Sequence, residues 1–305
     1  MPPAGDPGAA GGLAAQVAAV TGAPPRRVVS AGGQHRWQHC RVTLATGEQA
    51  FAKVAGTGLD GVFEAEAAGL RWLAEAGAAP VPRVLGAGPG ALVVSWVDGE
   101  SASQDAAERF GRDLARLHAA GADSFGAPWA GFIASLPLPN EPGGSWPQWY
   151  AAFRLLPFAR RAVDAGALGP DGARLVEEVA GRLTALAGPA EPPARLHGDC
   201  WSGNVLWSGG RGVLIDPAAH GGHRESDLAM LALFGAPYLD RILAAYDEAA
   251  PLADGWRDRV GLHQLFPLLV HTVLFGGGYG ARALRICERY SSSEPRVCAQ
   301  DIGDS

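Results

Sequence analysis

Four side chains in "RLHGDCWSGNVLWSGGRGVLID", residues 195–216, are of types and spacings that could do chemistry: His197, Asp199, Asn204 and Asp216. The first three stand as H-x-D-x(4)-N, which sets a carboxylate able to take a hydroxyl's proton five residues before an amide able to hold a hard cation. "NVLW" and "GVLID" are short apolar runs separated by "SGGR", a hairpin signal, and such a hairpin carries Asp216 back beside Asn204. Two oxygen ligands on one point are sufficient for Mg²⁺, which fills its octahedron with water and phosphate. The chemistry this implies is phosphoryl transfer, which needs in-line placement and neutralised phosphate charge more than covalent work. Read singly, each residue has an ordinary alternative: a satisfied histidine, a turn aspartate, a cap, a strand-end carboxylate. Even within the motif, His197 is expected to orient the loop rather than to move protons.

A phosphate also needs a cation, and the sequence offers a distinctive one. Of 25 Lys plus Arg residues, Lys53 is the sole lysine, set inside the apolar run "EQAFAKVAGTG". Ala, Gly, Pro and Arg are enriched together throughout, as in a GC-biased coding sequence, so a surviving lysine marks a place where arginine will not serve. Lysine presents a compact ammonium on a thin stem, arginine a wide planar fork. A narrow apolar slot beside a phosphate is one place where that difference decides; chance survival on a strand surface is the alternative.

These residues need elements to position them. "RVVSAGGQHRWQHCRVTLATGEQAFAKVA" reads as strand, glycine turn, strand, "TGE" turn, strand. "GVFEAEAAGLRWLAEAG" follows with Val62, Phe63, Leu70 and Leu73 near helical spacing, and this helix carries Glu64 and Glu66. A strand lysine with a helix glutamate shortly downstream is how kinase-like folds aim the ammonium at α- and β-phosphates. "GALVVSWVDGES", residues 90–101, gives a further strand and a connector. Gly32 and Gly33 at the first turn, with Ser95 and Val97 on the connector, complete the candidate nucleotide contacts. "SQDAAERFGRDLARLHAAG" and "GARLVEEVAGRLTALAG" have helical periodicity, and the stretch from Trp129 to Trp149 turns helical at "WPQWYAAFRLL". The expected fold is α+β and protein-kinase-like: a small antiparallel-sheet nucleotide lobe over 1–97 with one main helix, a mostly helical catalytic and substrate lobe over 98–290, and a disordered tail over 291–305.

Composition narrows the partners. With 48% hydrophobic and 18% charged residues the chain can build a core, and its 305 residues suit about two lobes. A formal net charge of -6 and a pI near 5.7 argue against nucleic-acid binding. No apolar run is long enough for a membrane helix, and the opening residues lack a basic signal-peptide region. Cys40, Cys200, Cys287 and Cys298 show no C-x-x-C spacing and are read as reduced thiols of a cytoplasmic protein. Oligomeric state is not legible.

At this point a resemblance becomes specific. "HGDCWSGN", "IDPAAHGGHRESDLAMLALFG", "LDGVFEAEAAGLRWL", "LPLPN", "SWPQWYAAFRL" and "HQLFPLLVHTVLFGGGYGARAL" resemble segments of the fructosamine/ketosamine 3-kinase family, a branch of the aminoglycoside-phosphotransferase-like kinases, over residues 28–286. The resemblance implies ATP and Mg²⁺ as cofactors, with Lys53 on the α/β-phosphates paired to Glu66 rather than Glu64. It makes Asp199 the base and Asn204 and Asp216 the metal ligands. It also implies transfer to the 3-hydroxyl of a small-molecule or protein-bound sugar ketoamine, whose unstable 3-phosphate then leaves, so that the family acts in deglycation. Trp201 would line the sugar pocket or serve as core; His223, Arg224 and Glu225 would contact substrate or brace the metal loop. Asp227 would cap the helix of "DLAMLALF" and fix the catalytic-loop backbone. Cys200 replaces the family's leucine and puts a thiol beside the base, where its oxidation would inhibit. "AGGQHRWQH" does not suit a protein-kinase glycine loop, and no A-P-E element follows Asp216, which disfavours protein-kinase activity. A kinase of an aminoglycoside- or choline-like acceptor, and a non-catalytic nucleotide-binding pseudokinase, stay open as alternatives.

Overall fold

Lys53 acquires its setting from a sheet that is covered on both faces. The structure, a computed structural model, describes residues 7–34, 36–55 and 60–292. A first helix, α1 (Pro7–Thr21), precedes strands β1 (Arg27–Gln34), β2 (Trp37–Thr43) and β3 (Gln49–Ala55). Helix α2 (Val62–Glu75) follows, then β4 (Val84–Gly88) and β5 (Ala91–Ser95). The five strands form an antiparallel sheet in the order β1-β2-β3-β5-β4, with His39 and Leu92 flanking Lys53 in register. One face packs Val42, Ala52, Val54 and Val93 around the fully buried Val17 of α1. The other packs Trp37, Leu92 and Val94 against Phe63, Ala67 and Leu70 of α2. Burial on both faces explains why β3 reads as a nearly continuous apolar run instead of alternating.

Beyond the sheet, α3 (Gln104–Ala119) starts at Ser103, whose hydroxyl accepts the Ala106 N–H at 3.2 Å, and it buries Phe110, Leu114 and Leu117 as their spacing predicts. A short hairpin follows, β6 (Gly131–Ile133) and β7 (Leu136–Leu138), then α4 (Trp146–Tyr150), a π-helical turn over Ala151–Leu155, α5 (Leu156–Asp164) and α6 (Pro170–Leu186). Strand β8 (Ala194–Leu196) leads into the loop that carries His197 and Asp199. The hairpin β9 (Val205–Ser208) and β10 (Arg211–Leu214), β11 (His220–Gly222), α7 (Glu225–Phe234), α8 (Leu239–Ala249), α9 (Trp256–Phe275) and α10 (Gly278–Ser292) complete the described elements. The tail expected from 291 begins inside α10, and its remainder lies outside the described residues, as does Cys298. Cys40, Cys200 and Cys287 are free and buried. Among the described residues no helix is long and apolar enough to cross a membrane.

The chain groups into two compact units, Met1–Trp146 with Glu191–Leu252, and Pro147–Ala190 with Ala253–Ser305. In the first, α3 crosses α8 at Gly111, where an added Cβ would stand 2.2 Å from the Ile242 carbonyl oxygen. Gly111→Ala must therefore push two helix backbones apart, and a loss of about 1–3 kcal/mol is expected. A thermal melt checks this, and an unchanged Tm would mean that the crossing yields freely. In the second unit, Pro267 removes the N–H that the His263 carbonyl would receive within α9. The Tyr150 hydroxyl, 3.3 Å from that oxygen and 3.0 Å from the Leu262 oxygen, supplies the missing donor.

Candidate active site

The predicted hairpin forms, with Val205 paired to Leu214 and the Ile215 N–H donating to the Asn204 carbonyl at 3.0 Å. That closure sets Asp216 beside Asn204. Just upstream, Gly198 has φ +81°, and a Cβ there would meet the Ala218 oxygen at 2.2 Å, so the loop requires glycine at this turn. His197 is fully buried: its Nε2 donates to the Ile215 carbonyl at 2.8 Å and its Nδ1 accepts the Asp199 N–H at 3.3 Å. Both contacts are met by one neutral tautomer, and burial, which lowers the ring's affinity for a proton, favours that form. His197 thus ties one edge of the loop to the other.

Lys53 is 3% exposed and stands between two carboxylates. Its Nζ lies 2.9 and 2.8 Å from the Glu66 oxygens and 2.9 Å from Asp216 Oδ1. Burial opposes the ammonium, but Glu66 and Asp216 outweigh it and hold Lys53 protonated above its usual range. Glu66 is itself pushed up, by burial first and also by the Asp216 charge, while Lys53 opposes the shift. Two acids sharing one base in an apolar slot leave a site short of positive charge. A polyphosphate carrying a divalent cation changes that balance.

Asp199 sits at the pocket floor, where Asn204 Nδ2 donates to its Oδ2 at 2.8 Å and to its carbonyl at 2.9 Å. Burial pushes its carboxyl up to about 7 against the Asn204 hydrogen bond, with the Asp216 and Asp227 charges adding to the rise. A carboxylate near 7 is poised to accept a hydroxyl proton at neutral pH. Because Asn204 turns its nitrogen towards Asp199, its amide oxygen is left as the ligand atom. With the Asp216 carboxylate, whose side chain is 37% exposed, it makes an all-oxygen pair that fits a hard divalent cation.

One pocket joins these groups: Lys53, Glu66, Asp199, Trp201, Asn204 and Asp216 all line it. The wall also includes residues not expected at the site, among them Trp37 on β2, Ala65 on α2, Trp129, and Phe132 to Ala134 at the β6–β7 turn. Only the tryptophan richness of 129–149 hinted at them, and of those tryptophans Trp146 packs on His223 instead, with ring centroids 5.0 Å apart. Trp201 lies edge-on to Phe234 at 5.8 Å while facing the pocket, so it is wall and packing partner at once.

Other candidates stand apart from that pocket. Gly32, with φ +101° and open space around it, and Gly33 do not form the expected turn: both lie within β1, at the register shift between Ser30 and Gly33, and the chain reverses only after Gln34. Ser95 uses its hydroxyl to accept the Arg83 N–H at 2.9 Å, and Val97 follows on the connector. His223 and Glu225 are buried, the Glu225 N–H donating to His223 Nδ1 at 3.3 Å. Arg224 forms a bidentate pair with Glu191 at 2.8 and 2.7 Å and donates to the Ala250 and Pro251 carbonyls, which makes it a brace. Asp227 does not cap α7, which starts two residues earlier at Glu225; its carboxylate accepts the His197 N–H at 2.8 Å and the Gly198 N–H at 3.0 Å. Cys200 is fully buried, and burial beside Asp227 and Asp199 raises its thiol well above the usual range. Reactive thiols are accessible and low in pKa, so a redox role for Cys200 has no support here.

The sequence profile of the family described as fructosamine kinase matches residues 13–293. A "Probable ketoamine kinase" of Synechocystis sp. is 36% identical over 292 residues, spanning 91% of this chain and 95% of the relative. The chloroplastic protein-ribulosamine 3-kinase of Arabidopsis thaliana is 32% identical, spanning 75% of this chain and 72% of the relative. A crystal structure from Thermobifida fusca, assigned to fructosamine-3-kinase, superposes with a TM-score of 0.88 at 52% identity over 92% of this chain and 99% of that one. Solved phosphotransferases 11–19% identical share the protein-kinase-like α+β fold alone, at TM-scores of 0.56–0.61. The chain belongs to the fructosamine kinase family.

Proposed function

We propose that the protein is an ATP-dependent kinase that phosphorylates the 3-hydroxyl of a sugar ketoamine of fructosamine or ribulosamine type. The observation that carries this reading is the meeting of the Lys53–Glu66–Asp216 cluster with Asp199, Asn204 and an aromatic wall in one pocket of a fructosamine kinase family member. Lys53 would receive the α/β-phosphates of ATP seated on the lobe that ends near residue 97, with Glu66 fixing the ammonium. Asp199 would take the proton of the 3-hydroxyl as its oxygen attacks the γ-phosphorus and the bond to ADP breaks. Asn204 and Asp216 would hold Mg²⁺, whose chemistry there would be neutralisation of the phosphate oxygens. Trp129, Phe132 and Trp201 give flat apolar surfaces suited to the CH face of a sugar. The 3-phosphate would then be eliminated as inorganic phosphate, and addition of water to the resulting imine would release the free amine and a deoxy-dicarbonyl sugar, completing deglycation.

The same wall argues against an aminoglycoside acceptor. Among the described lining residues the only carboxylates are Glu66, Asp199 and Asp216, all engaged in the phosphoryl-transfer cluster. A polycationic aminoglycoside therefore finds no acidic surface of its own. Because the plant relative is named for protein-bound ribulosamine, both free and protein-bound ketoamines belong among the acceptors to be tried. ADP release with Mg-ATP should appear with fructosamine-, ribulosamine- or erythrulosamine-type compounds and not with kanamycin or choline. Turnover confined to another acceptor would keep the site and overturn the substrate. ATP binding without turnover on any of them would favour a pseudokinase.

A further inference from the structure

Behind the catalytic loop, a line of buried polar groups reaches away from the pocket. The Asp227 carboxylate, 1% exposed, holds the His197 and Gly198 N–H groups at 2.8 and 3.0 Å, immediately before Asp199. Its Oδ2 is also 3.2 Å from Nε2 of His118, on α3. The other ring nitrogen of His118 lies 2.8 Å from the hydroxyl of Tyr246, on α8, and the two rings meet edge to face at 5.5 Å. The Arg224 guanidinium, fixed by Glu191 and the Ala250 and Pro251 carbonyls, acts on the Tyr246 hydroxyl through its charge. His118 is 3% exposed and Tyr246 fully buried, so neither ring is open to bulk solvent.

We propose that His118 and Tyr246 are positioning residues for the catalytic base, acting through Asp227 by locking one histidine tautomer. The inference rests on reading Asp199 as that base. The argument is one of hydrogen-bond direction. A carboxylate only accepts, so Nε2 of His118 must carry the hydrogen that faces Asp227. Nδ1 of the neutral ring must then accept, and the Tyr246 O–H is the donor that meets it. Every donor in the line thus points towards Asp227, and the line closes only with His118 as the Nε2–H tautomer. Reversing that tautomer turns a lone pair onto the carboxylate that holds the loop, an arrangement disfavoured in a buried site. The base stands one residue beyond Gly198, so a loosened Asp227 shifts Asp199 without touching ATP or acceptor.

Tyr246→Phe keeps the ring and removes only the hydroxyl. It is expected to lower kcat about tenfold, the cost of losing about one buried hydrogen bond's worth of order in the base, while KM for ATP and for the ketoamine stay within about twofold. His118→Gln, which keeps an N–H able to face Asp227, should retain several times the kcat of His118→Leu. A purely structural role would instead lower Tm and the folded fraction and leave kcat per folded molecule unchanged. Nitrogen-15 NMR of histidine-labelled enzyme reads the tautomer without any turnover. His118 should show the Nε2–H pattern in the wild type and a mixture in Tyr246→Phe. An Nδ1–H or doubly protonated wild-type ring would overturn the proposal, as would an unchanged kcat in a Tyr246→Phe enzyme whose tautomer has become mixed. If Asp199→Asn keeps its activity while the tautomer pattern is as expected, the base assignment has failed and the relay has not.

Discussion

Asp199→Asn should lose about 10²–10⁴-fold in kcat while binding Mg-ATP with little change, because it removes the proton acceptor and leaves the phosphate cluster in place. The substituted amide can turn its oxygen to Asn204 Nδ2, which donates to Asp199 Oδ2 at 2.8 Å, so the loop keeps its hydrogen bond. Single-turnover ADP formation and a nucleotide titration separate the two effects; retention of wild-type kcat would remove Asp199 from the role of base. The wild type carries a pH signature of the same assignment. Burial first, and then the neighbouring Asp216 and Asp227 charges, push the Asp199 carboxyl up to about 7, so the free enzyme is about half protonated there at neutral pH. Only the carboxylate can accept the hydroxyl proton, so kcat/KM should fall as pH drops through about 7. A cation between Asn204 and Asp216 favours the charged form. The acid limb of kcat, which reports the loaded enzyme, should therefore lie at lower pH than that of kcat/KM.

Lys53→Arg is the second large effect, and it isolates shape from charge. The ammonium touches Glu66 through both oxygens and Asp216 through one, all within 2.9 Å, at 3% exposure. A guanidinium is wider and planar, and in this slot it cannot face Glu66, Asp216 and a phosphate at once without displacing the strand or α2. A loss of about 10²–10³-fold in kcat/KM is expected, comparable to removing one preorganised electrostatic contact, with Tm close to wild type. Near-wild-type turnover would show that a positive charge of any shape suffices.

How much of this could be read from the sequence depended on distance along the chain. The hairpin that brings Asp216 to Asn204 was legible because its signals, two apolar runs and a glycine turn, lie within a dozen residues. Lys53 and Glu66 were legible because strand and helix each kept their own periodicity. By contrast, α1 was not anticipated, since an Ala- and Gly-rich segment has no polar face to contrast with an apolar one; it folds because Val17 is taken up by the sheet. The short strand β4, "VLGAG", carries too few β-branched residues to announce itself. Trp37 reaches the pocket from β2 and Trp129 and Phe132 from the segment around β6; the tryptophan richness of 129–149 points to the second group, and nothing local marks Trp37. Nor could spacing show that Arg224, next to two plausible substrate contacts, spends its donors on Glu191 and two carbonyls. The second compact unit is likewise invisible to a linear reading, because it is assembled from 147–190 and 253–305.

The solitary lysine has one more consequence, for the enzyme as a target. Reducing sugars glycate proteins through unprotonated, accessible ε-amines. This chain's only ε-amine is 3% exposed and held as an ammonium by two carboxylates, and every other basic side chain in its 305 residues, histidine aside, is arginine. An enzyme proposed to free amines from sugars thus presents almost none of the lysine surface on which such adducts form. The same feature leaves lysine acetylation and amine-directed labelling reagents without an exposed ε-amine to modify.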